Sequence, residues 1–245
     1  MTSRFDHATV KMLQARALLR RTDTKFLVPA EMVVWILAGL SNDYLMLPSG
    51  NRYFARYDTT YFDTPDLRCF HDHRRGCRPR HKIRVRHYPD RGVSYLEVKS
   101  KDTSTETRKH RVRRTFGDDS LGGDGRRFVA MCCDLPVDEL EPSMRMQFFR
   151  LTLLGKYTEE RLTVDLGLDF DGAPPGRDLS GVGIVEVKQR HLQRRTPIMR
   201  ALRAHQFRQG SASKYCTALA LSRPSVRRNQ IRPVLRAIER IQRHA

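Results

Sequence analysis

The chain has 245 residues, is 39% hydrophobic and carries a formal net charge of +19, with a sequence pI of about 10.4. That balance points to polyanionic partners: nucleic acid, phosphate chains or an anionic surface. Five cysteines without CxxC spacing exclude a disulfide framework or a zinc cluster, and no apolar run approaches the ~20 residues of a membrane span. No signal-peptide apolar region opens the chain, so a cytoplasmic protein is expected.

In chain order, residues 6–20 space Val10, Leu13, Ala17 and Leu18 as a helix does. Asp23 to Val28 alternates and stops at Pro29, which suits a strand. Glu31 to Leu40 reads as a buried helix with Trp35 in the core. Asn51 to Asp63, rich in Tyr, Phe and Thr, reads as a long strand. Three short strands fill Lys82 to Arg114, with turns near Pro89–Gly92 and at 102–106. Gly117 to Gly125 is a glycine- and aspartate-rich loop without the pattern of a phosphate-binding loop, and 126–133 is helical. Met144 to Leu153 and Arg161 to Phe170 are strands joined near Gly155. A loop at 172–176 and a last strand, Ile184 to Arg190, follow. Helices begin after Pro197 and after Ser213. Residues 224–245 form an arginine-rich helix or tail, expected to be solvated, loosely packed and able to meet an anionic surface. Seven or eight strands succeed one another through the middle, so the class is α+β with a largely antiparallel sheet.

The three central strands carry the strongest functional signal. Lys82, Arg84 and Arg86 alternate with Ile83 and Val85; Glu97, Lys99 and Lys101 with Leu96 and Val98; Lys109, Arg111 and Arg113 with His110 and Val112. Alternate residues of a strand share a face. One face is therefore lined with cations, and like charges on adjacent strands repel. Glu97 is the one carboxylate at these positions, so an anionic ligand is expected there.

These strands sit within an ordered series: Arg21-Thr-Asp-Thr-Lys25-Phe, Tyr61-Phe-Asp-Thr-Pro-Asp-Leu67, Lys82-Ile-Arg-Val-Arg-His-Tyr88, Leu96-Glu-Val-Lys99-Ser-Lys101, Lys109-His-Arg111, Phe148-Phe-Arg150, Arg161-Leu-Thr-Val-Asp165, Val185-Glu-Val-Lys188 and Ser213-Lys-Tyr-Cys216. The series resembles the VTC domain, the catalytic domain of the vacuolar transporter chaperone polyphosphate polymerase, one of the triphosphate tunnel metalloenzymes related to CYTH domains. The resemblance covers residues ~20–222, expected as one domain over 1–222 ahead of a basic segment at 223–245. It implies an antiparallel eight-stranded β-barrel tunnel with flanking helices. It also implies transfer of the ATP γ-phosphate to a growing polyphosphate chain. On the matched positions it implies that Lys25, Arg84, Arg86, Lys99, Lys109, Arg150 and Arg161 are the catalytic phosphate contacts. Lys188, Ser213 and Lys214 join them as phosphate-binding residues, and Glu186 is the ligand for Mn²⁺ or Mg²⁺. Phe148 stands where the family often has tyrosine, which removes a hydroxyl but keeps a ring to pack.

Such residues suit the chemistry. Arginine offers phosphate two parallel donors and lysine a point charge. A closed bore presents them from all sides of a linear substrate. The attacking phosphate oxygen is already anionic, so positioning and charge neutralisation suffice. Glu97 is a second metal candidate, or a counter-charge for its neighbours. His71, His73 and His81 lack metal-site spacing, and Asp63 and Asp66 suit capping. Two other functions remain open. One is a tunnel triphosphatase, although each of the Glu-Val-Lys strands holds a single acid. The other is a non-catalytic polyanion-binding module, although a specific nucleic-acid partner is not expected, because no RNA- or DNA-binding pattern is present.

Overall fold

The computed structural model describes residues 4–15, 21–102, 107–173 and 178–243. The alternating segments form one antiparallel sheet. In chain order the elements are α1 (Val10–Ala15), β1 (Thr22–Pro29), α2 (Ala30–Ala38), β2 (Tyr44–Met46), β3 (Ala55–Asp63), α3 (Arg68–Arg75), β4 (Arg80–Tyr88), β5 (Val93–Lys101) and β6 (Thr107–Arg114). Then come α4 (Gly122–Cys132), β7 (Glu141–Gly155), β8 (Glu160–Phe170), β9 (Val182–Gln189), α5 (Pro197–Ala204), β10 (Gln209–Gly210), α6 (Lys214–Ser222) and α7 (Arg232–Arg243).

The strand order is β10-β1-β9-β8-β7-β3-β4-β5-β6, with β2 paired to β7. The class and the antiparallel sheet are as expected. The closed eight-stranded barrel is corrected: the sheet has ten strands and is open. The two additional strands, β2 and β10, are too short to show as a sequence period. At one edge β6 pairs only with β5, and at the other β1 is flanked by the two-residue β10. The sheet nevertheless curls, because Asp23 and Lys25 of β1 line one cavity with Lys82 of β4 and Lys99 of β5.

Burial separates the two faces. On the outer face, Phe26, Val28, Leu151, Leu153, Leu162, Val164, Val185 and Val187 lie under α2 and α5. Farther along, Phe62, Ile83, Val85, Leu96 and Val98 lie under α4 and the segment after it. On the inner face, Tyr61, Met144, Met146, Phe148 and Ile184 are covered by Tyr215, Ala218 and Leu219 of α6 and by Val234, Leu235 and Ile238 of α7. The rest of that face carries the charges.

Several expectations need correction. The N-terminal helix is described only over Val10–Ala15; residues 16–20 lie outside the described residues, as do 103–106 and 174–177 in two expected loops. The long strand starts at Ala55, and α4 takes Gly122–Gly125 from the expected loop. Trp35 is 73% exposed, because α2 turns Val33, Ile36 and Leu37 inward and leaves Trp35 opposite. Strand β6 is an exposed edge, so Val112 is not packed. The basic C-terminal segment is a docked helix, because Val234 joins Ile231, Leu235 and Ile238 in one apolar stripe on the core.

Helix α3 is mostly polar, and its only apolar residues, the adjacent buried pair Cys69 and Phe70, set no helical period. Its start is fixed by Asp63, which is fully buried at the end of β3 and accepts the backbone N–H groups of Thr64 (2.9 Å), Cys69 (2.8 Å) and Phe70 (2.9 Å). The Tyr215 hydroxyl donates to the same carboxylate at 2.5 Å, tying α6 to β3. Removing a buried acceptor leaves its donors unsatisfied. Asp63→Ala should therefore lower the unfolding free energy by about 3 kcal/mol and Tyr215→Phe by about 1 kcal/mol. Urea titration of both single variants and the double variant checks this. The double should fall short of the sum, because the two share one bond.

Candidate active site

Cross-strand register builds the charged face. On β4, β5 and β6, Lys82 lies opposite Lys99, which lies opposite Lys109; Arg84, Glu97 and Arg111 form the next row, and Arg86, Tyr95 and Arg113 the next. On β1, β9 and β8, Lys25 is opposite Glu186 and Asp23 opposite Lys188, while Lys188 is opposite Arg161 and Glu186 opposite Thr163. Arg150 of β7 is opposite Asp165.

Three carboxylates organise these cations. Glu97 accepts from Arg84 Nε at 2.8 Å and lies 2.6 Å from Arg84 Nη2, 2.5 Å from Lys109 Nζ and 3.8 Å from Arg86 Nη1. Asp165 takes the Arg150 fork at 2.6 and 2.7 Å and also pairs with Lys214. Glu186 pairs with Lys188 and lies 3.5 Å from Lys25 Nζ. Thr163 Oγ1 accepts Lys188 at 3.0 Å, which fixes that ammonium. Burial alone would raise these carboxylates. The adjoining cations, led by Arg84 at Glu97, Arg150 at Asp165 and Lys188 at Glu186, instead hold all of them far below the usual range. They are ionised at any working pH.

Aromatic rings support the guanidinium planes. Phe148 lies beneath Arg86 (5.8 Å), Arg150 (5.4 Å) and Lys214 (4.9 Å), and stacks on Tyr57 at 5.0 Å between centroids. The phenylalanine thus keeps the packing role expected of its ring.

At one end of the charged face lies a cavity of about 580 Å³, lined by Lys25, Lys82, Lys99, Lys101, Arg80 and the first turn of α6. Ser213 caps that helix, its Oγ accepting the Cys216 N–H at 3.3 Å, so the N-terminal end of α6 faces the cavity. Lys82 and Lys99 oppose each other in register and make no hydrogen bond or ion pair among the described residues. Burial pushes the Lys82 ammonium down to about 8, with Lys99 and Lys25 adding repulsion. It lowers Lys99 as well, again with Lys25 contributing. Arg161 is lowered by burial and by Arg21, and its Nε is buried without a hydrogen-bond partner among the described residues.

The structure brings Lys25, Arg84, Arg86, Lys99, Arg150, Arg161, Lys188, Ser213 and Lys214 onto this inner surface, with Glu97 and Glu186 among them. Lys109 sits at the rim with a side chain 45% exposed. Arginine and lysine heads surround Glu97, which serves them as a counter-charge. Glu186 faces two ammonium groups instead, Lys188, which Thr163 holds, and Lys25 at 3.5 Å. Among the described residues no cluster of His, Cys, Asp and Glu is arranged to hold a metal by itself. His73 lines the cavity as a neutral imidazole, since burial and Lys82 push its pKa far down. Lys82 and Asp165 were both visible in the sequence motifs but not singled out: Lys82 by its place in the alternation, Asp165 by its spacing from Arg161.

Only a protonated Lys82 attracts phosphate. Its folded pKa lies below the usual lysine value, so its charge is complete below about 8 and is lost as pH rises through that value. Affinity for inorganic tripolyphosphate, measured by calorimetry between pH 7 and 9.5, should fall above about pH 8. Lys82→Arg should move the fall to higher pH.

The VTC domain model matches residues 20–223. No curated protein matches the chain in sequence. Among solved structures, the candidate adenylyl cyclase HpAC1 from Hippeastrum, with a dominant triphosphatase activity, aligns at a TM-score of 0.50 and 12% identity, over 82% of this chain and 95% of that one. A candidate adenylate cyclase from Vibrio parahaemolyticus aligns at 0.46 and 12% identity, over 81% and 97%. The PH1819 protein from Pyrococcus horikoshii aligns at 0.47 and 12% identity, over 83% and 99%. The Hippeastrum likeness speaks to the fold alone. Matched from Arg20 through Arg223 in order, strands, cavity and α6 included, the chain belongs to the VTC domain family.

Proposed function

We propose that the chain is an ATP-dependent polyphosphate polymerase, which moves the γ-phosphate of ATP onto the end of a polyphosphate chain and releases ADP. The observation that carries this reading is the opposed pair Lys82 and Lys99, which line the cavity and make no direct ion pair with a carboxylate among the described residues. Like charges at such a position are destabilising until an anion arrives. A row of phosphates supplies it, and the partly desolvated setting strengthens each contact beyond its value in water.

The inner carboxylates favour transfer to phosphate over transfer to water. Glu97, Asp165 and Glu186 are each held ionised by cations at close range. A carboxylate so engaged is a poor base, and hydrolysis needs a water to be deprotonated. A phosphate nucleophile needs no base. In this scheme Arg84, Arg86 and Arg150 grip phosphate oxygens, Lys25, Lys82 and Lys99 neutralise the approaching chain, and Lys214 with the α6 N-terminus orients it.

Glu186 fits the attachment point for a divalent ion. It is permanently charged, and its neighbours Lys25 and Lys188 are point charges rather than a guanidinium fork, with Lys25 standing off at 3.5 Å. With no carboxylate cluster beside it, Mn²⁺ or Mg²⁺ would take its other ligands from phosphate oxygens and water. Such an ion supplies further charge neutralisation on the transferring phosphoryl group.

Purified protein incubated with ATP and Mn²⁺ or Mg²⁺ should yield long phosphate chains on a gel. Release of free phosphate alone would instead assign the triphosphatase reaction, and ATP left intact a binding module. Glu186→Ala should cut metal-dependent synthesis by on the order of 100-fold, while tripolyphosphate binding persists or tightens because an anion has been removed. Synthesis that survives this change excludes Glu186 as the metal attachment.

A further inference from the structure

The inner face is graded along its strands. On β4 the inward positions run Arg80, Lys82, Arg84, Arg86, Tyr88, and their partners on β5 run Lys101, Lys99, Glu97, Tyr95, Val93. Lysine dominates one end, arginine the middle and tyrosine the other end. The grade continues onto β3, where Tyr57 faces the same end.

The tyrosine end has a definite construction. Tyr88 meets Tyr57 edge-on at 5.0 Å and 61°, and Tyr95 at 6.0 Å and 83°. Arg86 and Arg150 lie over the Tyr57 ring at 5.2 and 4.9 Å, and Arg111 lies over Tyr95 at 4.9 Å. Tyr57 also stacks on Phe148. Tyr88 is different: it is half-buried, no cation covers it, and its hydroxyl has no hydrogen-bond partner among the described residues. It is the ring of this cluster that a ligand can still use.

A bare phosphate chain has no use for such a cluster, because phosphate carries no planar apolar surface. A nucleobase does, and base–aromatic stacking beside arginine is a common means of holding one. The spacing agrees. Six residues at ~3.4 Å each separate the Tyr88 row from the Lys82 row by ~20 Å, a span suited to an extended nucleoside triphosphate. With its base on Tyr88, the triphosphate passes Arg86 and Arg84 and points its γ-phosphate at Lys82 and Lys99.

We propose that Tyr88, braced by Tyr57 and Tyr95, is the stacking platform for the nucleobase and fixes the direction in which the nucleotide lies along the charged face. The proposal rests on the reading of this face as a triphosphate site and adds which end receives the nucleoside. Stacking of this kind holds a base without reading its edge, so it favours nucleoside over bare triphosphate and discriminates little between bases.

Calorimetric titration of the full chain with adenosine 5′-(β,γ-imido)triphosphate and, separately, with inorganic tripolyphosphate tests the assignment. Tyr88→Ala should weaken the nucleotide analogue about tenfold, as loss of one stacking partner does, and change tripolyphosphate less than about twofold. Tyr88→Phe, which keeps the ring, should leave both within about twofold. The proposal is overturned if Tyr88→Ala leaves the analogue unaffected, or if it weakens both ligands alike, which would mark a purely structural role. Retained tripolyphosphate binding shows that the variant is folded. Wild-type protein that binds neither ligand overturns the triphosphate reading itself.

Discussion

The structure depends on a balance between crowded cations and the few buried carboxylates that hold them apart in order. Glu97, Asp165 and Glu186 each engage at least two basic side chains; Glu97 and Asp165 are close to fully enclosed and Glu186 is half-buried. Desolvating a charge is expensive, and a buried pair repays that cost only when geometry and hydrogen bonding are good. Here the forked contacts of Arg84 with Glu97 and of Arg150 with Asp165 meet that condition. On the inner face these carboxylates are outnumbered, so it keeps a surplus of positive charge. Loss of one carboxylate would leave its arginines uncompensated.

The surplus can be maintained because the opposite face of the same strands is densely apolar. Ile83, Val85, Leu96 and Val98 are fully buried between the charged positions. The period of two lets one strand serve both purposes without compromise. The inner face is closed at one side by α6 and α7, and Asp63 couples that closure to β3 through Tyr215. Lys214 precedes Tyr215 directly, so the bond that seats the helix also delivers an ammonium group to Asp165.

Much of this was legible in the sequence where one physical rule dominated. Strict alternation marked β4 and β5, and the cations at those positions do face one surface. Pro29 ends β1, and Ser213 caps α6. The pattern was weaker where tertiary contacts decide. Helix α3 has no apolar period and begins where Asp63 gathers its backbone donors, a long-range bond that no local window contains. Trp35 reads as core by composition, yet the helical phase of Val33, Ile36 and Leu37 turns it outward. Barrel closure is a property of the two sheet edges, and neither β6 nor β1 carries a sequence signal of what lies beside it. Lys82 and Asp165 were hidden by abundance: in a chain with 46 basic residues, one lysine stands out only when its cross-strand partner is known.

The gradation along the inner face bears on why lysine and arginine are not mixed at random. Arg84, Arg86 and Arg150 lie on aromatic rings and against carboxylates, so their forks are already oriented before any ligand arrives. Pre-oriented donors lose little freedom on binding and hold one geometry, as a reacting phosphate requires. Among the described residues, Lys82, Lys99 and Lys101 have neither a stacked ring nor an ion-paired carboxylate against them. Flexible point charges neutralise a passing phosphate without fixing its position. A substrate that must be gripped at one point and moved along at another is served by rigid arginines in the middle and mobile lysines toward the cavity. That division follows from which side chains the neighbouring strands place opposite each one.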